Sequence, residues 1–138
     1  LDLMRDLQMK LNTSIIMITH DLGVIANTCD RIIVMYGGTI VEEGTRREIF
    51  YNPKHPYTLG LLKSIPKVAM GKKEKLTPIP GSPPDLIAPP LGCPFTARCD
   101  YAMKICDKYR PKNTMISDSH GVSCWLMHPS APAISREV

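Results

Sequence analysis

Cys93, Cys99, Cys106 and Cys124 are separated by five, six and seventeen residues, close enough along the chain for four thiolates to meet at one centre. Three chemistries use such a set. Zinc takes four cysteines tetrahedrally, usually from tight C-x-x-C pairs, which this spacing lacks without forbidding a four-cysteine site. Disulfides need an oxidising compartment, and the fifth cysteine, Cys29, leaves an odd count that suits a secreted protein poorly. An iron-sulfur cluster accepts wider ligand spacing because its corners point apart, and the looser spacing suits it better. Free thiols are the remaining outcome. Phe95 and Trp125 stand beside these cysteines as candidate shields against water, and Arg98 and Arg110 are candidates to face an anionic centre or a neighbouring subunit. His55, between a lysine and a proline, and His120 and His128, which flank the last cysteine, read as surface residues.

His20 is the second candidate. It follows the unbroken apolar run Ile15-Ile16-Met17-Ile18 by two positions. A run apolar on both faces predicts a buried strand of a parallel sheet covered by helices, and in such sheets ligands bind beyond the carboxyl ends of the strands. An imidazole there is placed to touch a phosphate and orient an attacking water. The plainer reading is a loop histidine before Asp21, which caps the next helix.

The elements that position these residues are set by periodicity. Leu3, Met4, Leu7 and Leu11 share one helical face, Asn12-Thr13 breaks it, and Ser14–Thr19 is the predicted strand. Leu22, Ile25, Ala26 and Cys29 form a second helical stripe, which makes Cys29 a core residue. Arg31–Tyr36 and Thr39–Glu43 flank Gly37-Gly38, the signature of a hairpin. Thr45 with Glu48 is a capping box for a short helix that Pro53 ends, and Pro56 opens another that Pro66 stops. The fold class is therefore α/β. Residues 67–92 hold six prolines and three glycines and read as a linker. Three parts result: 1–66, the linker 67–92, and a cysteine-rich, loop-rich extension 93–138, too small to fold without a staple.

Composition excludes several classes. No apolar run approaches the roughly 20 residues of a bilayer helix, and nothing at the start resembles a secretory signal. The net charge is +4, and its densest cluster, Lys67, Lys72, Lys73 and Lys75, lies in the linker, as a solvated segment rather than a nucleic-acid or lipid patch. Leu1 is not a translation start, which suggests a fragment.

The order strand, Thr19-His20-Asp21, helix, then Cys29 to Thr45, resembles the end of an ABC-type ATPase domain of the P-loop NTPase class. Asn52-Pro53-Lys54-His55-Pro56-Tyr57-Thr58, followed by Leu61, Leu62, Ser64, Ile65 and Pro66, resembles the ATPase subunits of dipeptide, oligopeptide and nickel importers. The likeness runs from Leu1 to about Leu126. It implies an ATP-hydrolysing subunit at the cytoplasmic face of a bacterial inner membrane, working with a second ATPase subunit and membrane permease subunits, with His20 at the γ-phosphate. It also implies a [4Fe-4S] cluster on Cys93, Cys99, Cys106 and Cys124, since some such subunits carry one in this extension. The phosphate loop G-x-x-x-x-G-K-[ST], an apolar strand ending in Asp-Glu, and a Ser-Gly-Gly-Gln signature are missing, so Mg-ATP would be held mainly by residues outside the chain, and the 138-residue piece is expected neither to bind ATP tightly nor to hydrolyse it. The strand Ser14–Thr19, without its neighbours, is expected to drive association. The competing reading is a metal- or iron-sulfur-binding interaction module without catalysis.

Overall fold

A computed structural model describes residues 2–65 and 78–134. The lysine cluster and Pro66 lie outside the described residues, as does the first part of the expected linker. Contacts divide the chain into two compact units, Leu1–Asp30 and Arg31–Val138. This division falls well before the composition change near residue 67.

In the first unit, helix α1 (Asp2–Leu11) ends where Asn12 takes a φ of 49°, a left-handed turn that asparagine tolerates. Helix α2 (Leu22–Thr28) is capped as expected: Asp21 Oδ1 accepts from the amides of Gly23 at 2.8 Å and Val24 at 3.1 Å. Two expectations are corrected. Ser14–Thr19 forms no strand, and Ile16 and Ile18 are 91% and 96% exposed. A parallel strand takes its hydrogen bonds from neighbours, and no described residue pairs with this one. Cys29 is half-buried at the end of α2, which has no fully buried residue, so it is not a core residue here.

The second unit is built on the expected hairpin. β1 (Arg31–Tyr36) and β2 (Thr39–Thr45) run antiparallel, joined by Gly37 and Gly38 at φ of 55° and 75°, the left-handed pair that a two-residue turn demands. β3 (Thr114–Met115) and β4 (Gly121–Val122) extend the sheet in the order β1-β2-β4-β3. Every pairing is antiparallel, so the parallel sheet inferred from the apolar run is absent among the described residues.

The ladder contains one irregularity, and it decides which β2 side chains turn inward. Val34 pairs with Glu42 but Met35 pairs with Ile40, leaving Val41 as an extra residue on β2. Such a bulge breaks strict alternation, so Val41 and Glu42 are consecutive and both buried. Helix α3 (Arg46–Tyr51) follows the full capping box, with Thr45 Oγ1 accepting from the Glu48 amide and Glu48 Oε2 accepting from the Thr45 amide at 2.8 Å. Helix α4 (Pro56–Lys63) starts on Pro56, as the sequence indicates.

Cysteine-rich residues pack onto this frame. Tyr36, Val41, Cys93, Phe95 and Cys106 form one core cluster. Phe95 stands at 5.1 Å, edge to face, from Tyr36 and at 5.4 Å from Tyr57, centroid to centroid. Arg98 is engaged by the protein itself. It donates to the carbonyls of Pro80 and Ile79, both at 2.8 Å, and to Tyr36 Oη at 3.3 Å, fastening the segment before Cys93 to the hairpin. Arg110 donates to the Pro90 carbonyl at 3.2 Å.

Glu42 is fully buried and its carboxylate is satisfied three ways. Oε1 accepts from the Lys54 amide at 2.7 Å, Oε2 from the His55 amide at 3.0 Å, and His120 Nε2 lies 2.7 Å from Oε1. Removing the carboxylate leaves two buried amides and an imidazole without their acceptor. Glu42→Ala is therefore expected to lower the unfolding free energy by about 3–5 kcal/mol, measured by urea denaturation followed through Trp125 fluorescence.

Candidate functional site

The four clustered cysteines reach one place from four local turns. Cys93 and Cys106 approach most closely through the backbone, the Cys93 amide donating to the Cys106 carbonyl at 2.7 Å and Thr96 Oγ1 donating to the same carbonyl at 3.1 Å. The preceding residue has to be glycine: a Cβ on Gly92 would stand 2.0 Å from the Cys106 carbonyl oxygen. Cys99 ends the short 3-10 turn Thr96–Arg98, Cys106 lies in helix α5 (Lys104–Lys108), and Cys124 precedes the 3-10 turn Trp125–Met127.

All four cysteines border one small cavity of about 10 Å³, room for roughly a single water. Phe95, Trp125 and Leu126 border it too. Trp125 is held by its own hydrogen bond, Nε1 donating to the Tyr109 carbonyl at 2.9 Å. Among the described residues, no three His, Cys, Asp or Glu side chains stand close enough together to hold one metal ion as they are.

The electrostatics of the site pull in two directions. Burial pushes the Cys93 thiol up, Cys99 up to about 11 and Cys124 up to about 12, and repulsion among the clustered sulfurs adds to each rise. Against this, backbone amides two residues ahead favour the ionised sulfur: Phe95 for Cys93, Tyr101 for Cys99 and Leu126 for Cys124. Amides so placed are acceptor-seeking groups, and their bonds strengthen when the sulfur carries charge.

Of the three histidines expected at the surface, only His128 is exposed; His55 and His120 are each 1% exposed. No periodic signal marks their burial, because neither lies on an amphipathic helix or strand. His120 is drawn in by Glu42. His55 caps α4, its Nδ1 accepting from the Tyr57 amide at 3.0 Å, and the residue is among those bordering the cysteine cavity. Burial alone lowers His55 to about 4, which keeps the ring neutral at physiological pH. Sequence reasoning likewise misses Glu42; the visible signal is an acidic residue following Val41 where strand alternation calls for a solvent-facing position.

His20 belongs to the other compact unit, at a bend between the extended residues 13–19 and α2, with its side chain exposed. Its neighbours are spent on local bonds. The Asp21 amide donates to Thr19 Oγ1 at 3.0 Å while the Asp21 carboxylate caps the helix. The imidazole is left facing outward.

Residues 41–106 match the family described as oligopeptide/dipeptide transporter, C-terminal region. The chain carries that family's C-terminal region. The matched stretch holds the bulge at Val41, Glu42, His55 and the first three clustered cysteines, so the family segment includes most of the residues bordering the pocket, while β1, β3 and β4 lie outside it. Over 134 residues, 97% of its length, the chain is 57% identical to the oligopeptide transport ATP-binding protein OppD of Bacillus subtilis. It is 53% identical over 131 residues to the dipeptide transport ATP-binding protein DppD of the same organism, and 48% identical over 124 residues to OppD of Haemophilus influenzae. The chain spans 37%, 39% and 38% of the lengths of these three relatives. No helix among the described residues is long and apolar enough to cross a membrane.

The raised thiols of this C-terminal region have a chemical consequence. Alkylation needs the thiolate, and a thiol held at about 11 instead of 9 is ionised about a hundredfold less at pH 8 and below. In metal-free native protein, Cys99 is expected to react with iodoacetamide about a hundredfold more slowly at pH 8 than in urea, and Cys124 more slowly still. Mass-spectrometric time courses check this.

Proposed function

We propose that the chain is the rear portion of an ATP-hydrolysing subunit of a peptide-import ABC transporter. The observation that carries this reading is the 57% identity sustained over 134 residues to an oligopeptide transport ATP-binding protein. On this reading the subunit sits peripherally at the cytoplasmic face of a bacterial inner membrane, pairs with a second ATPase subunit, and drives permease subunits. Mg-ATP is held mainly by parts of the protein that this chain does not include. His20 meets the γ-phosphate, where a neutral or cationic imidazole donates to a phosphate oxygen and orients the attacking water. Its outward-facing ring, beside an aspartate already occupied as a helix cap, suits that task. In the longer subunit that includes the phosphate loop, His20→Ala is expected to cut ATP turnover by about 10²- to 10⁴-fold while leaving nucleotide affinity little changed. Undiminished turnover in that variant overturns the assignment of His20.

A specific observation favours a second component. Cys93, Cys99, Cys106 and Cys124 border one cavity, and three of the four have a backbone amide two residues ahead that favours the ionised sulfur. We propose that they hold a [4Fe-4S] cluster serving as a structural staple. The donor chemistry fits the group, for which the sulfurs must stand wider apart than around the present cavity: the desolvated thiols of Cys93, Cys99 and Cys124 ionise far more readily beside positive metal, and the amides then have charged acceptors. Anaerobic reconstitution of the chain is expected to yield about four irons and four acid-labile sulfides per chain, with visible absorption bleached by dithionite. Colourless protein binding one zinc instead overturns the cluster.

A further inference from the structure

The pocket has one more feature that no cysteine explains. His55 is 1% exposed, and its Nε2 has no hydrogen-bond partner among the described residues. The backbone dictates where its proton sits. Tyr57 has an amide hydrogen to give, and it gives it to Nδ1 at 3.0 Å, so in the neutral ring the proton is on Nε2. A buried N–H without an acceptor is destabilising, and such donors in native proteins almost always have a partner.

The ring is also held in place. The His55 amide is anchored on Glu42 Oε2 at 3.0 Å, Pro56 fixes the chain behind it, and the ring packs at 5.9 Å from Phe95. His55 and the four cysteines are all among the residues that border one cavity. Thr58 Oγ1, also buried without a partner among the described residues, belongs to a residue that does not border the cavity, and a hydroxyl rotates freely where an imidazole N–H does not. The unmet donor and the sulfur-rich cavity account for each other.

We infer that His55 Nε2–H donates a hydrogen bond to a sulfur of the group held by Cys93, Cys99, Cys106 and Cys124, making His55 a positioning residue that sets the reduction potential of that site. This rests on the cluster reading above. A donor at sulfur stabilises the more negative, reduced state and so raises the potential. It also explains why a histidine stands at this cap: aspartate or serine caps the helix equally well but delivers no N–H into the cavity.

The test uses the anaerobically reconstituted chain and His55→Asn, which keeps a side-chain oxygen for the Tyr57 amide and withdraws the Nε2 donor. The variant is expected to hold iron and sulfide at the wild-type ratio and to have a lower midpoint by spectroelectrochemistry. At the wild-type midpoint its ratio of reduced to oxidised cluster falls about tenfold, as the loss of one hydrogen bond to a charged acceptor predicts. In the wild-type chain carrying isotope-labelled histidine, pulsed EPR of the reduced cluster is expected to show a weak coupling to one histidine nitrogen, which needs no variant to fold. A fully loaded variant at unchanged potential, or no such coupling in the wild type, overturns the role of His55 and leaves the cluster standing. A wild-type chain that takes up no iron and sulfide overturns the cluster reading, and the role of His55 falls with it.

Discussion

Glu42 lies where three segments distant in sequence meet, and no water reaches its carboxylate. One oxygen takes the Lys54 amide and the His120 ring, the other the His55 amide. A buried carboxylate is costly unless its oxygens are hydrogen-bonded, and these bonds tie the loop before α4 and the turn before β4 to one side chain of β2. The bulge at Val41 is the precondition. Without the extra residue, alternation would turn Glu42 outward, and the same side chain would be an ordinary surface acid.

From that anchor the rest of the second unit is set in order. Fixing the His55 amide sets where α4 begins, and the start of α4 places Tyr57 against Tyr36 at 4.6 Å between ring centroids. Those two rings make the seat for Phe95, and Phe95 lies between Cys93 and Cys99 in the chain, so the seat determines where the first two sulfurs stand. Arg98 then locks the same turn by three hydrogen bonds to Pro80, Ile79 and Tyr36. The cysteine segment is thus shaped by the hairpin as much as by any group its thiols bind.

Local chemistry was readable from sequence wherever neighbouring residues decide the outcome. The Gly37-Gly38 turn, the Thr45/Glu48 capping box, the Asp21 cap and the start of a helix at Pro56 are each settled within a few positions, and each is present. What failed depended on partners far away or outside the chain. Ile15-Ile16-Met17-Ile18 has the composition of a buried strand, but a strand exists only through its neighbours, and no described residue supplies one. Cys29 fails as a core residue for the same reason: the stripe is right, and no described residue of its own unit covers it fully. His55 and His120 were misplaced because burial of a histidine is decided by its acceptor, and Glu42, the acceptor that draws in both the His55 backbone and the His120 ring, looks from sequence like one of two adjacent acids on a strand.

The cavity itself poses a contradiction that its own residues do not resolve. Desolvation, with repulsion from neighbouring sulfurs, raises the thiols of Cys93, Cys99 and Cys124, Cys99 to about 11 and Cys124 to about 12. Yet backbone amides are aimed at three of the sulfurs, and an imidazole N–H is buried at the cavity's edge with no described residue to receive it. A set of neutral thiols makes poor use of so many donors, since a protonated sulfur is only a weak acceptor. A set of four thiolates alone would repel itself apart in a site bordered by Phe95, Trp125 and Leu126. The cluster proposed above would meet both demands, its positive metal lowering the protonation of the sulfurs and its net negative charge giving the surrounding N–H donors an acceptor. On the proposed cluster reading, the donors carry more of the argument than the cysteine count, since four thiols buried only because their segment packed inward would have no use for them.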